Sequence, residues 1–252
     1  MGRAQPKSAK YIYGVVRADG KSRPRTKGID RKQVRVVDAD GLGALTSDVP
    51  PGGLEAGREE LLAHSRVLEK AVEQGTVLPM QFGVVMPDES AVREQLLDPH
   101  RRELEAQLEE MEDKFEVNLK AIYDERALLT EVINEDREVA KLRQALEGQP
   151  EEATHFERIR LGEMIAGAVD EKRNRDADAI LDRLAPHTVA VEVGEPVHER
   201  MALNASFLID RSARKAFDAE LDSFAAEQGG RLRFKYTGPL APHSFVELAV
   251  EG

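Results

Sequence analysis

The chain contains no cysteine. Thiol nucleophiles, thiolate metal sites and a disulfide framework are therefore excluded, and a reducing cytoplasm is the compartment this composition fits. No stretch of about 18 consecutive apolar residues occurs, so no segment is long enough to cross a bilayer as a helix. Residues 1–7 are positively charged but lead into no apolar core, and they do not read as a signal peptide. Proline and glycine are also sparse, 12 and 19 of 252 residues, and neither a low-complexity segment nor a repeat of solenoid period is present. Intrinsic disorder is excluded as the main state by 41% hydrophobic against 33% charged residues.

The charge is unevenly spread. Residues 1–35 carry 11 Lys and Arg against 2 Asp and Glu, a net of +9, whereas the remainder carries 25 against 45, a net of −20. A body this acidic is a poor match for nucleic acid, because phosphate neutralisation needs cations gathered on one face. The basic leader, residues 1–9, is expected to be disordered and solvated.

Periodicity divides the rest into an N-terminal α+β domain, 10–113, and a second domain, 114–252. In the first, 10–16 is rich in aromatic and β-branched residues and predicts a strand. Segment 17–32, with Gly20, Pro24 and Gly28, predicts a loop. Two strands at 33–38 and 42–49 are joined through Asp40-Gly41, a hairpin signal. Leu54, Leu61, Leu62, Val67, Leu68, Ala71 and Val72 recur at helical spacing, with Gly75 as the stop. A strand is expected over 76–86. Asp88 is then an N-cap for a second helix, interrupted or restarted at Pro99.

In the second domain, Phe115, Val117, Leu119 and Ala121 alternate with polar residues as in a half-buried strand. Two charged helices, about 125–147 and 151–185, are expected to form a hairpin, whose seam sets Leu128, Leu129, Val132, Val139, Leu142 and Leu146 against Phe156, Ile159, Ile165, Val169, Ile180 and Leu184. The hairpin closes on itself in one reading and offers a docking face in the other. Strands follow at 189–193 and 201–209, then a helix to Gln228 and a final strand, Leu232, Phe234 and Tyr236. That order is the split βαβ of a ferredoxin-like domain with a long helical-hairpin insertion, about 125–185. After Tyr236, a turn at Gly238-Pro239 is expected to return Phe245 to the core.

Catalytic and cofactor signatures do not survive inspection. Gly41-Leu42-Gly43 lacks the third glycine of a dinucleotide turn, and Pro50-Pro51 follows where a helix should open. Glu152 and His155 have a di-iron spacing, but the other match, Glu195 and His198, falls in a loop. Glu60 and His64 read as an exposed i,i+4 pair. No catalytic, cofactor-binding or metal-ligating residue is expected.

Three ordered stretches carry a resemblance. They are the opening strand with Tyr13 and Gly14; the run 77–85 with Leu78, Pro79, Phe82 and Gly83; and 203–210 with Asn204 and Phe207, followed by an ending with Tyr236, Gly238, Pro239, Pro242 and Phe245. Arg160, Gly162 and Glu163 also fit. Together they resemble the gas vesicle protein F/L family (GvpF/GvpL) over residues 11 to about 247. Ala241 and His243 depart from that ending, where a proline and a tyrosine are usual, and Val117 stands where an aromatic is common. The resemblance implies a cytoplasmic, vesicle-associated accessory protein that is not an enzyme and uses no cofactor. It would act in nucleation or early assembly by binding the hydrophobic shell protein and other gas vesicle proteins, with no nucleic acid and no membrane span. The alternative is a ferredoxin-like ligand-sensing or regulatory binding module.

Overall fold

The computed structural model describes residues 8–19, 25–51 and 57–247. Most of the basic leader, part of the loop expected at 17–32, Leu54 and the residues after Glu247 lie outside that set. The fold is mixed α+β, with two antiparallel sheets and, among the described residues, nine strands and seven α-helices. Two compact units are present. One gathers the described residues up to Val117 with Leu208–Arg211 and those from Thr237 onward; the other comprises Asn118–Phe207 and Ser212–Tyr236.

In the first unit, β1 (Ala9–Arg17) is the central strand, and every residue from Tyr11 to Val16 is buried. It pairs antiparallel with β3 (Leu42–Val49), which pairs with β2 (Arg35–Ala39). Asp40 and Gly41 form the two-residue loop between β2 and β3, with φ of +47° and +93°. Both values suit a type I′ turn, whose twist matches the strands it joins. The expected 76–86 strand is instead two short ones on β1, β4 (Leu78–Pro79) and β5 (Val85–Met86). Pro79 has no N–H to extend a ladder, and Gly83 takes φ +100°, which no extended strand allows.

Helix α1 (Arg58–Gln74) buries Ala63, His64, Val67, Leu68, Ala71 and Val72, an i, i+4 stripe ended by Gly75. Leu61 and Leu62, expected in that stripe, stay exposed. Asp88 accepts from the Ala91 N–H and caps α2 (Glu89–Ala91), which continues as a π-helical segment, Val92–Leu97. After the Asp98–His100 turn the chain restarts as α3 (Arg101–Glu110), burying Leu104 and Leu108.

The second sheet has the order β7-β8-β6-β9, formed by β6 (Lys114–Tyr123), β7 (Ala190–Gly194), β8 (Met201–Asp210) and β9 (Leu232–Leu240). Between β6 and β7 lie α4 (Glu125–Glu135), α5 (Arg137–Leu146) and α6 (His155–Leu184); α7 (Arg214–Glu227) follows β8. The single helix expected over 125–147 breaks at Asp136. Its carboxylate turns back to accept from the N–H groups of Glu138 and Val139, so it caps a new helix. Strand β9 runs on to Leu240, and the Gly238-Pro239 bond, which is cis, lies within it. The reversal comes later, at His243–Phe245, and Phe245 is half-buried instead of a core residue.

Candidate binding surface

Inside the first unit, the tilted rings of Tyr11 and Tyr13 lie 4.9 Å apart between centroids, with His64 and Phe82 closing the cluster. His64 is not the exposed partner of Glu60 but a buried side chain, 4% accessible. Burial first, then the neighbouring His243, pushes its pKa down to about 4 despite a hydrogen bond to the Met80 backbone. With one ring nitrogen on that carbonyl, Nδ1 of the neutral ring accepts from the Tyr11 hydroxyl at 2.9 Å. Tyr11 in turn accepts from the Gly83 N–H at 3.1 Å. Tyr13, the extra residue at a β1–β3 register shift, bonds Ser47 at 2.7 Å and accepts from the Ile29 N–H at 2.8 Å. All these polar groups are satisfied internally. The arrangement orders the fold and presents no reactive group to solvent.

The glycines among the resemblance residues have separate reasons. A Cβ on Gly14 would meet the Leu78 carbonyl at 2.6 Å, because β1 and β4 pair there. A Cβ on Gly238 would meet Val117 Cγ2 at 3.0 Å and the Glu116 carbonyl at 3.1 Å. Gly28, which is not one of those residues, is tighter still: its Cβ would fall 1.9 Å from the Tyr13 hydroxyl. Gly162 is the opposite case, open on the exposed side of α6 beside exposed Arg160 and Glu163. Tyr13, Gly14, Leu78, Pro79, Phe82 and Gly83 thus come together around β1, whereas Arg160, Gly162 and Glu163 stand apart on α6. Phe207 is fully buried against Phe217 at 5.4 Å, Tyr236 lies 6.5 Å from Phe217, and Asn204 donates to the Glu195 carbonyl. Pro242 is buried, one residue before the His243–Phe245 turn. Ser244 contacts Glu116, a buried carboxylate that the alternation of β6 marked as solvent-facing.

In the second unit a charged network ties α4 and α6 to the end of β6 and to Arg231, just before β9. Lys172 on α6 is 6% accessible and reaches Glu131 at 2.8 Å and Glu135 at 2.9 Å. Burial disfavours its ammonium, but the two carboxylates outweigh that and hold its pKa above the usual value. Arg231 bridges Glu131 and Asp176, and the Tyr123 hydroxyl donates to Asp176. Only the i,i+4 spacing of Lys172 and Asp176 hints at this network in the sequence.

The residues expected to form the seam differ in burial. Leu128, Val132, Val139, Leu146, Ile180 and Leu184 are buried, while Phe156 is 81% and Ile159 47% accessible. From His155 to Glu171, α6 buries no residue. Among the described residues this leaves an apolar face uncovered on a charged helix. Glu152 and His155 are exposed at its start, and among the described residues no three His, Asp or Glu converge as a metal site. A cleft of about 640 Å³ beside α1 has a mixed lining, Lys27, Arg31 and Arg66 with Asp30, Glu59 and Glu60, and favours neither an anion nor a cation.

Comparison with known proteins agrees over nearly the whole chain. The model of the family described as gas vesicle synthesis protein GvpL/GvpF matches residues 9–247. Gas vesicle protein F of Streptomyces sp. (strain CB03234) is 35% identical over 94% of this chain and 99% of its own length. Gas vesicle protein L2 of Halobacterium salinarum is 30% identical over 97% of this chain and 93% of its own. The crystal structure of GvpF from Anabaena sp. PCC7120 superposes with a TM-score of 0.80 at 25% identity, covering 96% of this chain and 97% of that one. This is a family of gas vesicle accessory proteins and not a known enzyme family, and no helix among the described residues is long and apolar enough to cross a membrane. On that match, running from the first residue of β1 to Glu247, the chain belongs to the GvpL/GvpF family of gas vesicle synthesis proteins.

Proposed function

We propose that this protein acts in nucleation or early assembly of the gas vesicle shell, in the cytoplasm and on the vesicle, by binding the hydrophobic shell protein and other gas vesicle proteins. The observation that carries the reading is the uncovered half of α6, with Phe156 at 81% and Ile159 at 47% accessibility. A gas-filled shell needs an apolar inner face, so its subunit must be kept from aggregating before it is built in. An acidic carrier with a local apolar face suits that role. The net charge of −11 keeps the carrier soluble, while the apolar face supplies the contact. We also read β6 to β9 as a ferredoxin-like domain, because the chain order strand, helices, strand, strand, helix, strand accompanies the spatial order β7-β8-β6-β9.

The test is a Phe156→Ser, Ile159→Ser double variant in cells that make vesicles. Both side chains are largely exposed, so the urea midpoint should stay at the wild-type value. Recovery of shell protein with the variant should fall, and vesicles should be lost while shell protein is still made. In wild type the captured complex should survive added salt, because an apolar contact is little screened. Normal vesicles and undiminished capture by the double variant would overturn the reading.

A further inference from the structure

The two sheets treat their long edges differently. On β2, the guanidinium of Arg93 donates to the Asp38 carbonyl at 2.9 Å, and that of Arg101 to the Asp40 and Ala39 carbonyls, both at 3.1 Å. These side chains occupy acceptors that another strand would need. Strand β9 presents exposed Arg233 and Lys235 and carries Pro239, which has no N–H to offer. Both are ordinary defences against edge-to-edge pairing. Strand β7 has no proline and, among the described residues, no covering side chain, and only one exposed charge. It ends its sheet, no hydrogen bond among the described residues reaches its outer edge, and its alternate positions are the half-buried Val191 and Val193, 57% accessible, continuing from exposed Val189 just before the strand. Its one charge, Glu192, is exposed and has no ion-pair partner among the described residues.

We propose that the outer edge of β7 accepts an extended segment of another protein as an added strand, apolar at alternate positions and carrying a lysine or arginine opposite Glu192. Main-chain hydrogen bonds would supply the attachment and the side-chain row its selectivity. The valines on one face ask for apolar neighbours, and the unpaired carboxylate on the other asks for a cation. A second copy of this chain is the wrong occupant: antiparallel pairing that uses all five residues of β7 sets Glu192 against Glu192. This inference is independent of the α6 surface and is tested without any vesicle readout.

The experiment uses the full chain and two synthetic peptides, one centred on Val-Lys-Val and the other on Val-Glu-Val, both with neutral ends. The lysine peptide should slow hydrogen exchange within 190–194 and leave α6 unchanged. Wild type should prefer it over the glutamate peptide, and Glu192→Lys should invert that preference, each by several-fold to about tenfold. Val193→Lys should abolish binding; Val193→Thr, which keeps the strand's shape, should weaken it if the lysine variant misfolds. Equal binding of the two peptides, protection falling outside β7, or no protection anywhere would overturn the proposal. So would a dimer in sedimentation that is broken by Val193→Lys, because the edge would then belong to a second copy.

Discussion

Ser244 meets the buried carboxylate of Glu116 twice, its N–H donating to Oε2 at 2.8 Å and its hydroxyl to Oε1 at 2.9 Å. The two residues are 128 positions apart. The Pro-His-Ser-Phe ending is therefore fixed by a serine on an acid, with the phenylalanine beside it only half-buried. Ser244→Ala removes one of the two bonds to a charged, desolvated acceptor and should cost about 1–3 kcal/mol. Phe245→Ala should cost less than the ~3 kcal/mol of a core phenylalanine. Urea midpoints for the two variants give the comparison directly, and a larger loss at Phe245 would make the phenylalanine the anchor instead.

Three glycine positions make a graded series. Gly14→Ala and Gly238→Ala each force a methyl against backbone and should destabilise the fold by about 1–3 kcal/mol. Gly162→Ala meets open space on the exposed part of α6 and should stabilise that helix by about 0.5–1 kcal/mol. Thermal unfolding separates these directions. A Gly162→Ala variant that is more stable yet loses vesicles would assign this glycine to a contact.

Stability should depend on pH through His64. Its pKa is about 4 in the fold against an ordinary 6.5, so the unfolded chain binds the proton first as pH falls. The stabilisation is complete above about pH 6.5 and is lost progressively down to about pH 4, in total about 3 kcal/mol. Many carboxylates titrate in the same window, so the informative quantity is wild type minus His64→Gln. That difference should shrink as pH drops from 7 to 4. A constant difference would mean that His64 is not held neutral.

Arg231→Met leaves the Asp176 carboxylate without its cation, although Lys172 still serves Glu131. Since these groups are only partly shielded from water, the loss should be about 2–3 kcal/mol, below the usual figure for a fully buried pair. Arg183, paired with Glu220 and Glu227 at the surface, should cost less when replaced in the same way, because solvent screens its pairs. Urea midpoints measured in parallel rank the two.

Local opening should be easiest at 147–154, which carries no buried residue between α5 and α6. Its amides should exchange faster than those of 203–209 in β8. Equal protection would show that something covers this tip.

Much of the fold was legible because it is written in local patterns. Alternation located β6 and β8, the Asp-Gly pair located the β2–β3 turn, and a capping aspartate located α2. What failed was competition that local pattern cannot show. Asp136 reads as one more charged residue on a helix until its carboxylate caps a new one. Leu61 and Leu62 fit the spacing of α1, yet no described residue packs over them closely enough to bury them. His64 looked solvated because its partner, Tyr11, lies 53 residues away. Arg211, closing the carbonyl end of α1 at Val72 and Gly75, was invisible for the same reason. The exposed residues Arg160, Gly162 and Glu163 were legible only through family resemblance, since no packing constraint marks them.

The 1.9 Å approach of a residue-28 Cβ to the Tyr13 hydroxyl reaches beyond folding, into how such sequences can drift. Neither position can change first without cost. Enlarging residue 28 drives a methyl into the phenol, and shortening Tyr13 strands the Ile29 N–H and opens a void. Together, a small side chain at 13 and alanine at 28 relieve each other, so their effects are non-additive. The pair should therefore be inherited as a unit, with related chains keeping both residues or replacing both, and a mutational scan of single substitutions would overstate how fixed either one is.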